Sequence, residues 1–241
     1  MTITHIDTRI KKIQIGQKGY GFTATDFIPK NTVILSESPS FKIKNYRSNK
    51  YEIFELIYTI LTSDKEDDIT KFIKYLPRTV NNNFSVYTAK IINEFNNYKI
   101  INQQIYKFLV SNYSLNDIVL FSLKYICNAF DFFEDGPIIL LNGSIFNHSC
   151  NPNIIFGKDK DGKMIFLTTR DINKNEEIQN CYINIYESSK ERKKKLQDQY
   201  GFICKCDRCE NKNTEDIELK VLSNCINNIK TLHPGLQFNN V

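Results

Sequence analysis

Cys204, Cys206 and Cys209 lie within six residues of one another, in Cys204-Lys205-Cys206-Asp207-Arg208-Cys209. So short a stretch cannot bury three side chains in one direction, whereas three thiolates converging on one Zn²⁺ need only a tight loop. The cluster therefore predicts a metal knuckle. Tetrahedral zinc takes four ligands, and the candidates for the fourth are Cys127, Cys150, Cys181, Cys225, His148 and His233. Cys150 is the best placed of these. It stands beside Pro152 in Asn147-His148-Ser149-Cys150-Asn151-Pro152-Asn153, a polar turn that can be drawn up to the knuckle without breaking a helix or strand. One structural Zn²⁺ on Cys150, Cys204, Cys206 and Cys209 would tie that turn to the C-terminal loop.

The remaining composition narrows the setting. Seven cysteines, an odd number with three at metal-ligand spacing, read as thiols in a reducing compartment rather than a disulfide framework. No apolar run follows a charged start, and no stretch reaches membrane-spanning length. A soluble intracellular protein of cytoplasm or nucleus, not secreted and not membrane-bound, is expected. The net charge of +5 over 241 residues is mild, which argues against a dedicated, sequence-specific nucleic-acid binder.

Periodicity divides the chain. Residues 9–35 are rich in β-branched residues and glycines, the mark of short strands joined by turns. Ile53, Phe54, Ile57, Ile60 and Leu61 then repeat with helical period, as do Ile69, Phe72, Ile73 and Leu76 before Pro77. Further helices are predicted over 86–95, 101–109 and 115–125, the last opened by Ser114 with Asp117 in capping-box spacing. Strands return at 137–141, 154–157 and 164–168, the last two flanking an Asp161-Gly162 turn that fits a hairpin. A helix from Ser188, capped with Glu191, runs to about Tyr200, and Lys193-Lys194-Lys195 reads as its solvated face rather than an import signal. An amphipathic helix over 214–231 closes the chain before Pro234-Gly235. An all-helical insertion of residues 43–126 thus interrupts a mainly β fold, an α+β class.

Four motifs carry a family resemblance: Lys18-Gly19-Tyr20-Gly21-Phe22-Thr23-Ala24-Thr25 with the Pro29 segment after it, the 147–153 turn, Glu176-Glu177-Ile178-Gln179-Asn180-Cys181-Tyr182-Ile183, and Leu196-Gln197-Asp198-Gln199-Tyr200-Gly201-Phe202 leading into the knuckle. In this order, over residues 9–42 and 121–210, they resemble SET-domain protein lysine methyltransferases, most closely the SET-and-MYND branch. The resemblance implies a SET fold of short β-sheets with a pseudoknot, a catalytic domain over 1–210, a post-SET zinc knuckle over 200–210 and a short helical tail over 211–241. No cysteine precedes Cys127, so the MYND zinc finger of that branch is not expected, and about thirty residues follow Cys209, too few for its helical-repeat domain.

The resemblance also implies S-adenosylmethionine as cosubstrate and assigns residues to it. Lys18, Gly19, Tyr20 and Gly21 would wrap its methionine part, although Tyr20 departs from the residue usual in relatives. Asn147 and His148 would lie under the cofactor, Asn128 would contact it, and Tyr200 and Phe202 would lay an aromatic face on the adenine. Taken alone, these residues read more plainly: Gly-x-Gly as a turn, Asn147-His148 as a satisfied polar turn, Asn128 as a helix C-cap. Tyr182 is the candidate catalytic residue. Methyl transfer to an amine needs an uncharged nucleophile held in line, and a tyrosine hydroxyl at the base of an aromatic channel can orient its lone pair. A His148-Cys150 nucleophilic pair is disfavoured, since residues two apart in a turn rarely face one another. Two functions follow: a protein lysine N-methyltransferase acting on a lysine-bearing protein or peptide, histone tails among the candidates, or a catalytically silent SET-fold, zinc-stabilised binding module. Joint retention of Asn147, His148, Tyr182 and Phe202 favours the first.

Overall fold

The computed structural model describes residues 5–210; the helix expected over 214–231 and the tail from 211 lie outside the described residues. The chain first forms β1 (His5–Ile6), β2 (Ile10–Gln14), β3 (Tyr20–Ala24), β4 (Val33–Glu37) and β5 (Phe41–Lys42). Helices α1 (Glu52–Leu61), α2 (Glu66–Ile73), α3 (Ser85–Ile101), α4 (Gln103–Asn112) and α5 (Leu115–Asn128) follow. Strands then return as β6 (Ala129–Asp131), β7 (Pro137–Ile139), β8 (Asn147–His148), β9 (Ile154–Lys158), β10 (Met164–Thr168) and β11 (Glu177–Asn180). The C-terminal part holds α6 (Ser189–Tyr200) and the single turn α7 (Asp207–Glu210). Two compact units result. Residues 5–39, 142–196 and 203–210 belong to the first, and residues 40–141 and 197–202 to the second.

The first unit contains two four-stranded sheets, ordered β1-β4-β10-β9 and β2-β3-β11-β8. Its core is a file of aromatic rings: Phe22 on β3 lies 4.9 Å from Phe146, and Phe146 lies 5.0 Å from Phe166 on β10. Phe146 therefore bridges the two sheets immediately before β8. The β9–β10 hairpin forms in antiparallel register, Phe166 opposite Phe156. Its turn is longer than the Asp161-Gly162 pair suggested, because Asp159 organises it by accepting from the Asp161 and Lys163 amides at 3.0 and 2.8 Å.

In the second unit the helices bury one apolar face each around Phe54, Leu56, Ile57, Ile60, Phe72 and Tyr98, all with no exposed surface. A three-stranded sheet, β5-β7-β6, adds Phe41 and Ile139 to that core. The capping box expected on α5 is present, with the Asp117 amide donating to Ser114 Oγ and the Ser114 amide to the Asp117 carboxylate. Two helix boundaries differ from the sequence pattern. The α2 helix stops at Ile73, leaving Leu76 47% exposed, since Pro77 disfavours helical backbone at the residue before it. The α3 helix runs on to Ile101, and α4 restarts where the Asn102 side chain accepts from the Ile105 amide at 3.1 Å, an N-cap the apolar pattern does not reveal.

Candidate functional site

The polar turn after Phe146 is fixed from both sides within the first unit. Upstream, the buried carboxylate of Glu37 accepts from the Asn142 and Gly143 amides, the latter at 2.8 Å. Downstream, β8 pairs with β11 in parallel, Asn147 opposite Gln179 and His148 opposite Asn180, the one parallel pair among the described residues. Asn153 fastens the far end. Its amide donates to Glu176 Oε1 and the Glu177 carbonyl, and its Oδ1 accepts from the Gln179 amide at 2.8 Å. A two-residue strand has little stability of its own; β8 exists because these bonds impose its register.

Onto this frame β3 brings the glycine motif. Gly19 has φ +85°, a backbone state that side chains oppose. Gly21 is required for a different reason: a Cβ there would lie 2.5 Å from Asn147 Nδ2 and 2.5 Å from Ile15 Cδ1. The Asn147 amide is held in that position by Glu177, which accepts from Asn147 Nδ2 at 3.0 Å and from Lys18 Nζ at 2.8 Å. Lys18 and Asn147 thus share one network centred on a carboxylate, and Gly21 packs against its Asn147 amide. Tyr20 is 55% exposed, its ring 4.6 Å beneath the Lys12 ammonium.

Tyr182 and His148 are joined directly. The Tyr182 amide donates to His148 Nδ1 at 3.1 Å, and the Tyr182 hydroxyl donates to the Phe146 carbonyl at 2.6 Å. Because Nδ1 accepts, the proton of the neutral ring sits on Nε2, which lies 3.2 Å from Cys150 Sγ and donates to it. Burial keeps the ring neutral, pushing its pKa down to about 4. One imidazole therefore spans from Tyr182 to the cysteine cluster.

The Sγ atoms of Cys150, Cys204, Cys206 and Cys209 lie within 4.8 Å of one another. Cys150 Sγ is 3.4 Å from Cys209 Sγ and 3.9 Å from Cys204 Sγ; thiolates on tetrahedral zinc, with bonds of about 2.3 Å, sit about 3.8 Å apart. Contacts from the Cys150 and Cys204 thiols pull the Cys206 thiol far down, while contacts from Cys204 and Cys206 hold Cys150 up. The residues present thus fit a zinc tetrathiolate. Helix α6, opened by the reciprocal Ser188–Glu191 bonds, supplies Arg192, and Arg208 of α7 donates to the Cys150 carbonyl at 3.0 Å. Cys181 donates instead to the Ile183 carbonyl at 3.1 Å, and Cys127 to that of Gln199 at 3.4 Å; Cys225 and His233 lie outside the described residues.

Three of the predicted cofactor residues, Asn128, Tyr200 and Phe202, belong to the second unit. Asn128 ends α5, its Nδ2 donating to the Leu76 and Lys124 carbonyls at 2.7 and 2.8 Å, as a capping residue does. The Tyr200 and Phe202 rings are 6.5 Å apart and flank Gly201, where φ is +75° and a Cβ would meet Phe84 Cζ at 2.8 Å. Glu177, Phe146, Arg192 and Arg208 are site residues the sequence reading missed. Glu177 stood inside a quoted motif, and Arg192 was hidden in a run of charges whose visible signal was solvation.

Comparison with known proteins shows the family and the fold. The family model described as SET domain matches residues 19–183. The SET domain-containing protein L678 of Acanthamoeba polyphaga mimivirus is 38% identical over 204 residues, covering 84% of this chain and 78% of that protein. Human histone-lysine N-methyltransferase SMYD3 is 36% identical over 107 residues, 42% of this chain but 24% of SMYD3. Among solved structures, the SET domain of LSMT bound to lysine and AdoHcy superposes with a TM-score of 0.60 at 15% identity, over 88% of this chain and 59% of that one.

Proposed function

The chain belongs to the SET-domain family, and from that premise we propose that it is an S-adenosylmethionine-dependent protein-lysine N-methyltransferase. The observation that carries this reading is the parallel pairing of Asn147-His148 with Gln179-Asn180, which brings Asn147, His148 and Tyr182 together with Gly21 packed against the Asn147 amide. The names of SMYD3 as a histone-lysine N-methyltransferase and of the LSMT structure as bound to lysine support a lysine acceptor. With the chain spanning about a quarter of SMYD3, histone tails enter only as one acceptor class to be tested.

S-adenosylmethionine, when bound, supplies a methyl group activated by its sulfonium. Lys18, Gly19, Tyr20, Gly21, Asn147 and His148, all of the first unit, are the residues proposed to hold it. The fit is supported by a glycine backbone that a side chain cannot replace at position 21 and by φ +85° at Gly19. Tyr182 is proposed as the catalytic residue. Its hydroxyl, already donating to the Phe146 carbonyl, keeps its oxygen lone pairs available to an amine hydrogen, which orients the nitrogen for in-line attack. Apolar surroundings lower the pKa of an incoming lysine, so that the neutral amine is the form presented. Cys150, Cys204, Cys206 and Cys209 are proposed to hold one structural zinc, supplying rigidity rather than chemistry.

The test is calorimetric titration of the zinc-loaded protein with S-adenosylmethionine, paired with radiolabelled methyl transfer to core histones and a lysine-peptide array. Cofactor binding with transfer that Tyr182→Phe reduces by most of its rate is the expected result. Binding without transfer to any acceptor would favour the silent binding module, and a folded protein that binds no cofactor would end the methyltransferase reading.

A further inference from the structure

Glu177, partly buried on β11, divides its two carboxylate oxygens between different partners. Oε1 accepts from Asn147 Nδ2 at 3.0 Å, and Oε2 accepts from Lys18 Nζ at 2.8 Å. Strand register puts the carboxylate there. Residues two apart point to the same face of a strand, and Asn147 pairs with Gln179 while Glu177 pairs with Thr23 of β3. Glu177 therefore stands one step along the face that Asn147 meets, inside the first unit. An ionised carboxylate accepts hydrogen bonds and donates none. The Asn147 carboxamide must then turn its nitrogen to Glu177, where the Gly21 backbone packs against it. Its oxygen is directed the other way, and Oδ1 accepts no bond among the described residues.

We propose that Glu177 is a positioning residue that fixes which end of the Asn147 carboxamide the cosubstrate meets, so that an acceptor oxygen is presented to an N–H or O–H donor of the ligand. This rests on the reading of Asn147 as a cosubstrate contact made above. Lys18 enforces the arrangement, because its ammonium is one-way in the opposite sense, a donor with no acceptor. In Glu177→Gln the single side-chain oxygen goes to Lys18, which leaves the introduced amide nitrogen facing Asn147. Two amide nitrogens cannot bond each other, so the Asn147 amide reverses and offers its own nitrogen to the ligand. Glu177→Ala instead leaves that amide free to present either end, and the ligand selects the matching one. The isosteric substitution thus does more harm than the truncation. Stability is a separate matter: half of the Lys18 side chain is exposed, and an ion pair so placed contributes little.

The test titrates the full chain, Glu177→Gln and Glu177→Ala with S-adenosylmethionine by calorimetry, alongside Tm and NMR of the side-chain amides in the ligand-free protein. Glu177→Ala is expected to raise Kd about twofold, as a half-populated competent amide requires. Glu177→Gln is expected to raise it about tenfold or more, because a donor then faces a donor. Tm should move little in either variant. On a verified acceptor, KM for S-adenosylmethionine should follow Kd while kcat holds, as loss of uniform binding requires. In the ligand-free wild type, one of the two Asn147 side-chain amide protons should be shifted and slowed in exchange relative to the other, and Glu177→Ala should remove that difference. A packing role for Glu177 gives the opposite order of affinities, since truncation removes more contact. A Kd that rises more in Glu177→Ala than in Glu177→Gln, or in neither, overturns the proposal. Should Glu177→Gln fail to fold, the amide protons decide: equal exchange of the two in wild type refutes the positioning, and a protected proton released in Glu177→Ala upholds it. Wild-type protein that binds no S-adenosylmethionine sinks the methyltransferase reading and this proposal together, whereas a binding wild type with the reversed order of variants sinks the proposal alone.

Discussion

At Gly21 one added methyl group would press on a bonded amide. Ile15 can move its Cδ1 away from an added Cβ, but Asn147 Nδ2 is tied to Glu177 and through it to Lys18. Gly21→Ala must therefore displace a bonded amide. We expect a loss of about 1–3 kcal/mol in denaturant stability, the usual cost of overpacking, together with weaker calorimetric binding of S-adenosylmethionine. A variant with wild-type stability and affinity would mean that the network yields freely. Tyr182→Phe separates binding from chemistry in the opposite way. It removes the bond to the Phe146 carbonyl, worth about 0.5–1.5 kcal/mol, yet keeps the ring, so cofactor Kd should barely change while methyl transfer falls by most of its rate. Full turnover in that variant on a verified acceptor would make Tyr182 structural. The cysteines of this site were legible because thiolate spacing is local: three ligands stand within six residues. The acceptor of the Tyr182 hydroxyl was not, since Phe146 lies 36 residues away and no periodicity links a strand-end tyrosine to a particular carbonyl.

At the scale of elements, α5 shows what pattern reading captures and what it omits. Ser114 and Asp117 announce the N-terminus in four residues, and the capping box forms. Lys124, in the middle of the same helix, reads as a solvent-facing residue but is 2% exposed, its ammonium capping the carbonyls of Tyr75 and Pro77. Strands were legible where two apolar runs flank a turn pair, as β9 and β10 flank Asp161-Gly162. They were invisible where, as in β8, two residues become a strand only through a partner far along the chain. The buried ammonium has a measurable signature. Burial pushes the Lys124 pKa down to about 8 from the ordinary 10.5, so above pH 8 the folded protein gives up a proton that the unfolded chain still holds. Stability from this group is thus fully present above pH 10.5 and is lost as pH falls through about 8. The shift is worth at most about 3 kcal/mol, reduced by the two carbonyl bonds. Wild-type Tm, measured relative to Lys124→Met, should rise when pH is taken from about 7 to about 9.5; a difference flat across that range would show that the carbonyls hold the proton in place.

For the whole molecule, the decisive fact is that the cysteine cluster and the helical apolar core belong to different compact units. All four cysteines fall in the first unit, whereas Phe54, Leu56, Ile57, Ile60, Phe72 and Tyr98 fall in the second. Each fully buried apolar side chain of that core contributes about 1.5–3 kcal/mol, none of it requiring a metal. In the cluster the reverse is expected on the proposed zinc: α7 is a single turn and the 203–206 stretch preceding it is not helical, so that a metal held by the four cysteines would supply the folding free energy there. Chelation should therefore act locally. In hydrogen exchange after zinc removal, the amides of Ser149, Cys209 and Glu210, bonded to the carbonyls of Asn180 and Cys206, should lose protection first and by the largest factor. The interior amides of α1 and α5 should keep theirs, and the far-UV helical signal should melt at nearly its original temperature. If chelation instead strips protection from α1 and α5 at the same rate as from the knuckle, the protein unfolds as one cooperative body and the independence of the helical core is refuted.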